Sequence, residues 1–465
     1  MKKRILSSVA CAAISGLALL GLASCNNDKT PTATGTGNSG TTSTEGKVLN
    51  VRVWNDEFIQ RFRDYYKPQI EKEDKKNEQF TLKDGTVVKF QQTANKDNAY
   101  QNALDIALKN QKNAAADDKV DMFLFEADYA LKYVDSSATL DVKELGITDT
   151  DTKDMYQYTK DIATADGKLK GLSWQATPGL FAYRTDIAKK VLGTDDPVEV
   201  QEKLKNWDEF NKVAAQMKAQ DYTMLSGYDD AYRVFSNNIS QPLVNANKEI
   251  IIDQQLKDWI AQTKEYTTKG YNKKTSLWSD EWTAEQQISG STFGFFYSTW
   301  GINFTLKGNA EVKNDAGENL IGKYRVCQGP ASYYWGGTWI AAAAGTDNKT
   351  LVADIMRKLT CDATIAEQIT RDTQDYTNNK TAMTKLANDA SYGSEFLGGQ
   401  NHIKLFAASA EKIDMKNISK YDQGINEKLQ ESMKDYFAGT VTEEKAWENF
   451  YTKIQNIYPE LKKKA

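Results

Sequence analysis

The sequence predicts an α/β fold built on a wound, mostly parallel sheet, and three observations carry that prediction. Strand-like and helix-like stretches alternate in the order β-α-β-α-β from Val48 to Phe125. The third strand-like run, Val120-Asp121-Met122-Phe123-Leu124-Phe125, is almost unbroken apolar sequence, as a parallel strand covered on both faces should be. A second alternating set starts near Gly171, and 465 residues are enough for two or three domains of ordinary size with cores of their own.

Taken in order, Val48 to Trp54 is a β-rich run. The helical stretch after it places Phe58, Phe62 and Tyr65 on one face. Thr86 to Phe90 is the second strand. Tyr100, Ala103, Leu104, Ala107 and Leu108 then recur at helical spacing, with Asp97 as the expected N-cap. Two strands follow at Gly171–Trp174 and Leu180–Arg184, around Pro178-Gly179, and helices are expected near 185–192, 207–219 and 253–269. Further strands are read at Thr292–Tyr297, Tyr324–Cys327 and Thr338–Ala344, with a mostly helical remainder after Gly345. The last helix carries Trp447, Phe450, Ile454 and Ile457 on one stripe, which is expected to pack against the body.

The front of the chain reads as an address. Lys2, Lys3 and Arg4 precede an apolar and small-residue run that ends in Leu22-Ala23-Ser24-Cys25. A basic front, a short apolar stretch and small residues before a Cys describe a secretory leader, here residues 1–24, with Cys25 placed for lipidation. Residues 25–46 are then a Thr, Ser, Gly and Asn-rich tether, whose twenty or so residues reach roughly 25 Å. Beyond the leader no uncharged run attains the ~18 apolar residues of a membrane span, so the body is expected to be held to the membrane by Cys25 alone.

Composition and motifs remove most chemistries. The 59 basic and 63 acidic side chains leave a net charge of −4, which gives no footprint for a nucleic acid. The single histidine, His402, rules out multi-histidine metal sites and is expected to be a surface or packing residue. Gly317 to Lys323 follows a P-loop pattern, but Tyr324 stands where a small hydroxyl must hold Mg²⁺, and Asp149-Thr150-Asp151-Thr152-Lys153 fails as a calcium loop at its fifth position. Gly35-Thr36-Gly37-Asn38-Ser39-Gly40 matches a dinucleotide fingerprint with neither strand nor helix around it. No cofactor and no metal are expected. Cys327 and Cys361 could bridge in an oxidising compartment, but their spacing does not decide it, and two buried free thiols are the expectation. A carboxylate pair of the glycosidase type needs only two facing acids and stays open.

The positive signal is aromatic. Trp54, Trp174, Trp300, Trp335 and Trp339 fall at or near strand ends, beside Asn55, Asp56, Glu57, Gln175, Ser298, Thr299, Gly336 and Gly337. Open α/β sheets bind ligands at strand ends. Flat aromatic faces with carboxylates and amides alongside suit a sugar ring, whose faces are C–H and whose edges are hydroxyls.

These residues carry a resemblance. LNVRVWNDEF (49–58), DMFLFEADYALKYV (121–134), GLSWQATPGLFAYRTDIAKKVLG (171–193), GFFYSTWGINF (294–304), GGTWIAAAAGTDNKTLVADIMRKLT (336–360) and the final DQGINEKLQESMKDYFAGTVTEEKAWENFYTKIQNIYP (422–459) are, in this order, similar to the extracellular solute-binding proteins of family 1, the carbohydrate-binding lipoproteins of bacterial ABC importers, distantly related to maltose-binding proteins. The Leu22–Cys25 segment resembles their lipobox, and Ser298-Thr299-Trp300 stands where that family has Gly-Pro-Trp. The resemblance implies a two-lobed periplasmic-binding-protein-like fold of type II, with a hinge of crossing strands. Lobe one would comprise 47–175 and 336–380, and lobe two 176–335 and 381–465. It implies a lipid-anchored monomer on the outer face of the membrane that closes on a sugar, expected to be an oligosaccharide, and delivers it to an ABC permease without chemistry; the alternative is a lipid-anchored glycoside hydrolase or lyase. By position, Trp54, Asp56 and Glu57 would face the cleft from the first loop, and Glu126 and Asp128 from the third strand's end. Trp174, Trp300 and Trp335 would stack on sugar, Gly336 and Gly337 would admit close backbone approach, and Asp375 and Tyr376 are further ligand candidates.

Overall fold

The computed structural model of the chain describes residues 46–464. The leader, Cys25 and nearly all of the tether therefore lie outside the described residues. The large sheet has seven strands in the order Ile70–Asp74, Gln79–Leu82, Val87–Gln92, Val48–Val53, Met122–Glu126, Thr338–Ala342 and Leu172–Ser173. Val48–Val53 runs parallel to both of its neighbours, whereas the other pairings are antiparallel. The expected β-α-β-α-β centre is thus present, but the sheet is mixed and not mostly parallel. A hairpin adds antiparallel strands at one edge, and a strand returning from far along the sequence adds them at the other.

The centre is covered on both faces, as its composition requires. Leu49, Val51, Val53, Met122 and Leu124 form a core with Phe58 and Phe62 of helix Glu57–Tyr65 and with Val352 and Met356 of helix Lys349–Thr360. Phe123 and Phe125 point the other way, into a core that continues through the rest of the molecule. Trp339 belongs there. Its ring stacks on Phe125 at 5.9 Å and its Nε1 donates to the Thr159 carbonyl at 2.9 Å, so it is a core residue and not a strand-end surface.

A second, three-stranded sheet has Gly179–Arg184 at its centre, antiparallel to Gly294–Ser298 and Tyr324–Cys327. All six residues of the central strand are buried. Leu225–Gly227 and Asn272–Thr275 pair in parallel nearby and join it through the bridge between Thr223 and Thr292. Helices Thr185–Leu192, Trp207–Ala219 and Gln254–Lys269 fall where expected, the last two capped by Asn206 and Asp253. Helix Ala99–Asn110 also forms, but Asp97 is not its cap. Asn98 holds that position with φ +60° and makes no capping bond through its side chain.

Helices Asp422–Ala438 and Glu443–Ile457 close the chain side by side. Phe450 and Ile454 are buried as the stripe predicted, but Ile457, in the last turn, is exposed. Cys327 and Cys361 are both free; Cys361 is only half-buried. His402 is buried beside Tyr392 and Phe406, with Nε2 3.1 Å from the Gln374 carbonyl. Loss of hydration holds its pKa below the ordinary imidazole value, as suits a packing residue.

The chain passes between the sheets at its most crowded point. Gly179 donates its N–H to the Tyr333 carbonyl at 2.7 Å, and a Cβ on Gly179 would lie 2.1 to 2.5 Å from the Tyr333 ring. Gly179→Ala should therefore lower stability by about 1–3 kcal/mol through overpacking, read as a shift in the chemical denaturation midpoint. An unchanged midpoint would show that the ring moves aside freely.

Candidate functional site

Three segments cross between the sheets and bond to one another. Residues 173–179 lie beside 333–338 through Gly179 N–H to Tyr333 O and Trp335 N–H to Thr177 O, 3.2 Å. The same segment meets 374–378 through Ala176 N–H to Tyr376 O, 3.1 Å, and Asn378 N–H to Trp174 O, 2.9 Å. Side chains at this junction form the first part of the site. The Gln175 amide donates to Glu57 Oε1 at 2.7 Å and to Asp375 Oδ2 at 3.0 Å. Asp375 Oδ1 in turn accepts from Thr299 Oγ1 at 2.5 Å, on the three-stranded side. One amide thus ties an acid of the large-sheet side to an acid of the crossing. Glu57 is pushed up to about 7, first by loss of hydration, with Asp375 adding to the rise and Arg61, 3.5 Å away, opposing it.

The second part lies where Met122–Glu126 ends. A 3-10 turn, Ala127–Tyr129, carries Asp128 outward, and its carboxylate takes both terminal nitrogens of Arg233 at 2.5 Å each. Arg233 belongs to helix Tyr232–Ser236 of the three-stranded side, so this bidentate pair spans the seam between the two halves. Around it lies a pocket lined from the large-sheet side by Ala127, Asp128 and Leu131 and from the other side by polar groups that include Asn237, Asn417, Ser419 and Asn426. Glu126 accepts the Asp128 N–H at 2.8 Å. Burial raises the Glu126 carboxyl, and the Asp128 charge raises it further. The hydroxyl of Tyr129 is buried without a hydrogen-bond partner, within electrostatic reach of Glu126.

The third part is aromatic. Trp335 stacks on Tyr297 at 6.2 Å, and Trp300 meets it edge-on at 5.4 Å while donating Nε1 to the Trp335 carbonyl at 3.0 Å. Trp278 lies 6.2 Å from Trp300 and 5.9 Å from Trp335, with more than half of its surface exposed. A Cβ on Gly336 would stand 3.1 Å from Trp300 Nε1 and 3.6 Å from Glu126 Oε1, so the aromatic group and the acidic seam adjoin at this glycine. Gly336 (φ +70°) and Gly337 (φ +112°) are both left-handed, and what approaches them closely is the protein's own Trp300, Thr177 and Trp339.

Of the residues singled out from sequence, the structure gathers Glu126, Asp128, Trp300, Trp335, Gly336 and Gly337 along the seam, and Glu57 with Asp375 at the crossing. Trp54 is half-buried with its ring edge-on to Tyr100. Asp56 is exposed and accepts from Gln60 within its own helical turn. Trp174 and Tyr376 do not present surfaces for stacking or contact. Trp174 is buried with its ring stacked on Phe58, and Tyr376 is buried with its hydroxyl bonded to that of Tyr156. Both sit at strand or crossing ends but face inward, a distinction that position along the chain does not carry. Arg233, Asn237, Trp278, Asn417, Asp422 and Asn426 were not read from sequence. Among the described residues no group of three His, Cys, Asp or Glu side chains is arranged to hold a metal ion, and no helix is long and apolar enough to cross a membrane. The arrangement offers flat apolar faces beside amides, hydroxyls and carboxylates, a lining for a polyhydroxylated molecule.

The family model described as bacterial extracellular solute-binding protein matches residues 75–392. Among solved structures, an extracellular solute-binding protein of family 1 is similar with a TM-score of 0.71 and 16% identity, over 88% of this chain and 99% of that one. The ABC-transporter-associated binding protein of B. animalis subsp. lactis Bl-04, solved with β-1,6-galactobiose, gives 0.63 and 18%, over 90% and 100%. The sugar-binding protein MalE of Xanthomonas citri gives 0.62 and 13%, over 89% and 97%. No curated protein matches the chain. At these identities the likeness is one of fold, and the fold is the two-lobed one.

Folding favours the protonated form of Glu57, because its pKa rises from 4.5 to about 7. That contribution is complete below the unfolded value and is lost as pH rises through the folded one. Glu57→Gln should therefore melt above the wild type at about pH 8, with the difference closing by about pH 4.5. Equal melting temperatures across this range would show that Glu57 is hydrated in the folded protein.

Proposed function

The chain belongs to the bacterial extracellular solute-binding protein family, and on that premise we propose that it captures a saccharide, an oligosaccharide, by closing two lobes on it and presents it to an ABC permease. The observation that carries this reading is the seam itself. Trp278, Trp300 and Trp335 stand beside Glu126 and the Asp128–Arg233 pair, with Asn237, Asn417 and Asn426 lining the adjoining pocket. Aromatic planes would cover the C–H faces of a sugar ring, and the amides and carboxylates would bond its hydroxyls. The similar proteins solved with β-1,6-galactobiose, with lacto-N-biose and with tagatose support a saccharide over a peptide or metal.

In this reading lobe one is residues 47–175 with 336–380 and lobe two is 176–335 with 381–465, the exchange falling at the crossings. Glu126 and Asp128 belong to the first lobe and Trp278, Trp300 and Arg233 to the second, so a ligand touching both sets favours the closed state. The protein performs no reaction on its ligand. Asp128 is occupied by Arg233, and Asp375 by Gln175 and Thr299, which leaves neither as a free acid or base. Cys25 carries the lipid that holds the monomer at the outer face of the cell membrane.

Three measurements test this. Adding the fitting oligosaccharide should raise the melting temperature by mass action with no sugar consumed; sugar turnover by the purified protein would overturn the reading. Trp278→Ala and Trp300→Ala should each weaken saccharide binding about 5-fold, the loss of roughly 1 kcal/mol of ring contact. The exposed Trp278 should show this with no change in melting temperature of the unliganded protein. Cys25→Ser should move the protein from the membrane fraction to the medium, and unchanged fractionation would exclude a lipid on Cys25.

A further inference from the structure

The saccharide pocket carries an imbalance of charge. Asp128 and Asp422 line it within electrostatic reach of each other, and Glu126, which is not on the lining, adjoins Asp128. Among the described residues that line the pocket, Arg233 is the one basic side chain, and both of its terminal nitrogens are engaged by Asp128. Asp414, also on the lining, is paired with Lys416 at 2.7 Å. Asp422 accepts from the Ser419 N–H and hydroxyl and meets no cation. An anionic ligand would find no unoccupied positive group on this lining, and the Asp422 carboxyl without a salt-bridge partner.

The neutral lining is mixed in character. Asn237 accepts the Tyr334 N–H through Oδ1, Asn417 donates Nδ2 to the Ile239 carbonyl, and Asn426 accepts the Tyr232 hydroxyl through Oδ1. This leaves Asn237 Nδ2 and Asn426 Nδ2 as donors and Asn417 Oδ1 as an acceptor, each unbonded by any described residue. Two donors and an acceptor match hydroxyl groups, which both give and take hydrogen bonds. A carboxylate only accepts. The carboxyl of Asp422 is already pushed up to about 6 by burial, with the Asp128 charge adding to the rise, so a further negative charge would enter a place that resists the ones it has.

Resting on the saccharide reading above, we propose that this pocket selects neutral saccharides and rejects their uronic acid counterparts, with Asp422 as the residue that enforces the rejection. Like charges brought together in a partly desolvated seam are costly, whereas a neutral hydroxymethyl in the same place is not.

The test is calorimetric titration of the full-length protein at neutral pH. The probes are disaccharides of glucose, galactose and mannose, each paired with its uronic acid form. The expected result is a neutral sugar bound at least about 100-fold more tightly than its uronate. Asp422→Asn, which keeps a hydrogen-bonding side chain in place, should narrow that ratio about 10-fold. A uronate bound as tightly as its neutral partner would overturn the selectivity and leave the saccharide reading standing, and a ratio unmoved by Asp422→Asn would overturn the role of that acid. Failure of every sugar, neutral and acidic, would overturn the saccharide reading and the selectivity with it.

Discussion

The structure depends on the bundle of three crossing segments, 173–179, 333–338 and 374–378, held together by backbone hydrogen bonds. The constraint comes from the sheets. Thr338–Ala342 pairs antiparallel with Met122–Glu126 in the large sheet, while Gly179–Arg184 is the centre of the small one. A chain that leaves one sheet at Ser173 and returns to it at Thr338 must run alongside itself between them. Both passages are buried, so their amides and carbonyls must pair, and the partners at hand are each other. Glu57, Gln175, Asp375, Trp335 and the two glycines take their positions from this junction.

The Asp128–Arg233 pair adds a different kind of tie. It is partly exposed on both sides and joins groups more than a hundred residues apart in sequence. A bidentate ion pair in such a place contributes orientation more than net stability, because desolvation offsets much of its Coulomb attraction. It fixes how the Ala127–Tyr129 turn meets helix Tyr232–Ser236, and hence the shape of the pocket between them. Asp422, on the same lining, has no such partner and is held by the Ser419 N–H and hydroxyl alone.

Much of the fold was legible because the strands are short apolar runs between turn residues, and the helices have clear stripes. Each predicted strand from Val48 to Ala342 is present. The hairpin Ile70–Asp74 and Gln79–Leu82 was not read because IEKED, at the sheet's edge, buries none of its five residues. Charged edge strands are how sheets avoid pairing with other chains, and the same charges erase the strand's pattern. The candidate site was legible by half. Strand-end positions singled out Glu126, Asp128, Trp300 and Trp335, but they also included Trp174 and Trp339, and the resemblance added Tyr376; all three of these rings turn inward. Trp278 and Arg233 went unread for the opposite reason: one lies in the loop after Asn272–Thr275 and the other in a five-residue helix, and only the folded chain brings them to the seam.

Gly336 and Gly337 have a consequence that belongs to inheritance. Every single-base change in a glycine codon that alters the amino acid replaces a hydrogen with a carbon. At Gly336 that carbon would press on Trp300, and at Gly337 on Thr177 and Trp339, in backbone conformations that side chains rarely adopt. No single-base change that replaces either glycine is therefore neutral. The lining side chains carry no such restriction, while the two-residue link between Trp335 and Thr338 is held still, so substitution has room on the walls of the pocket and none in the link.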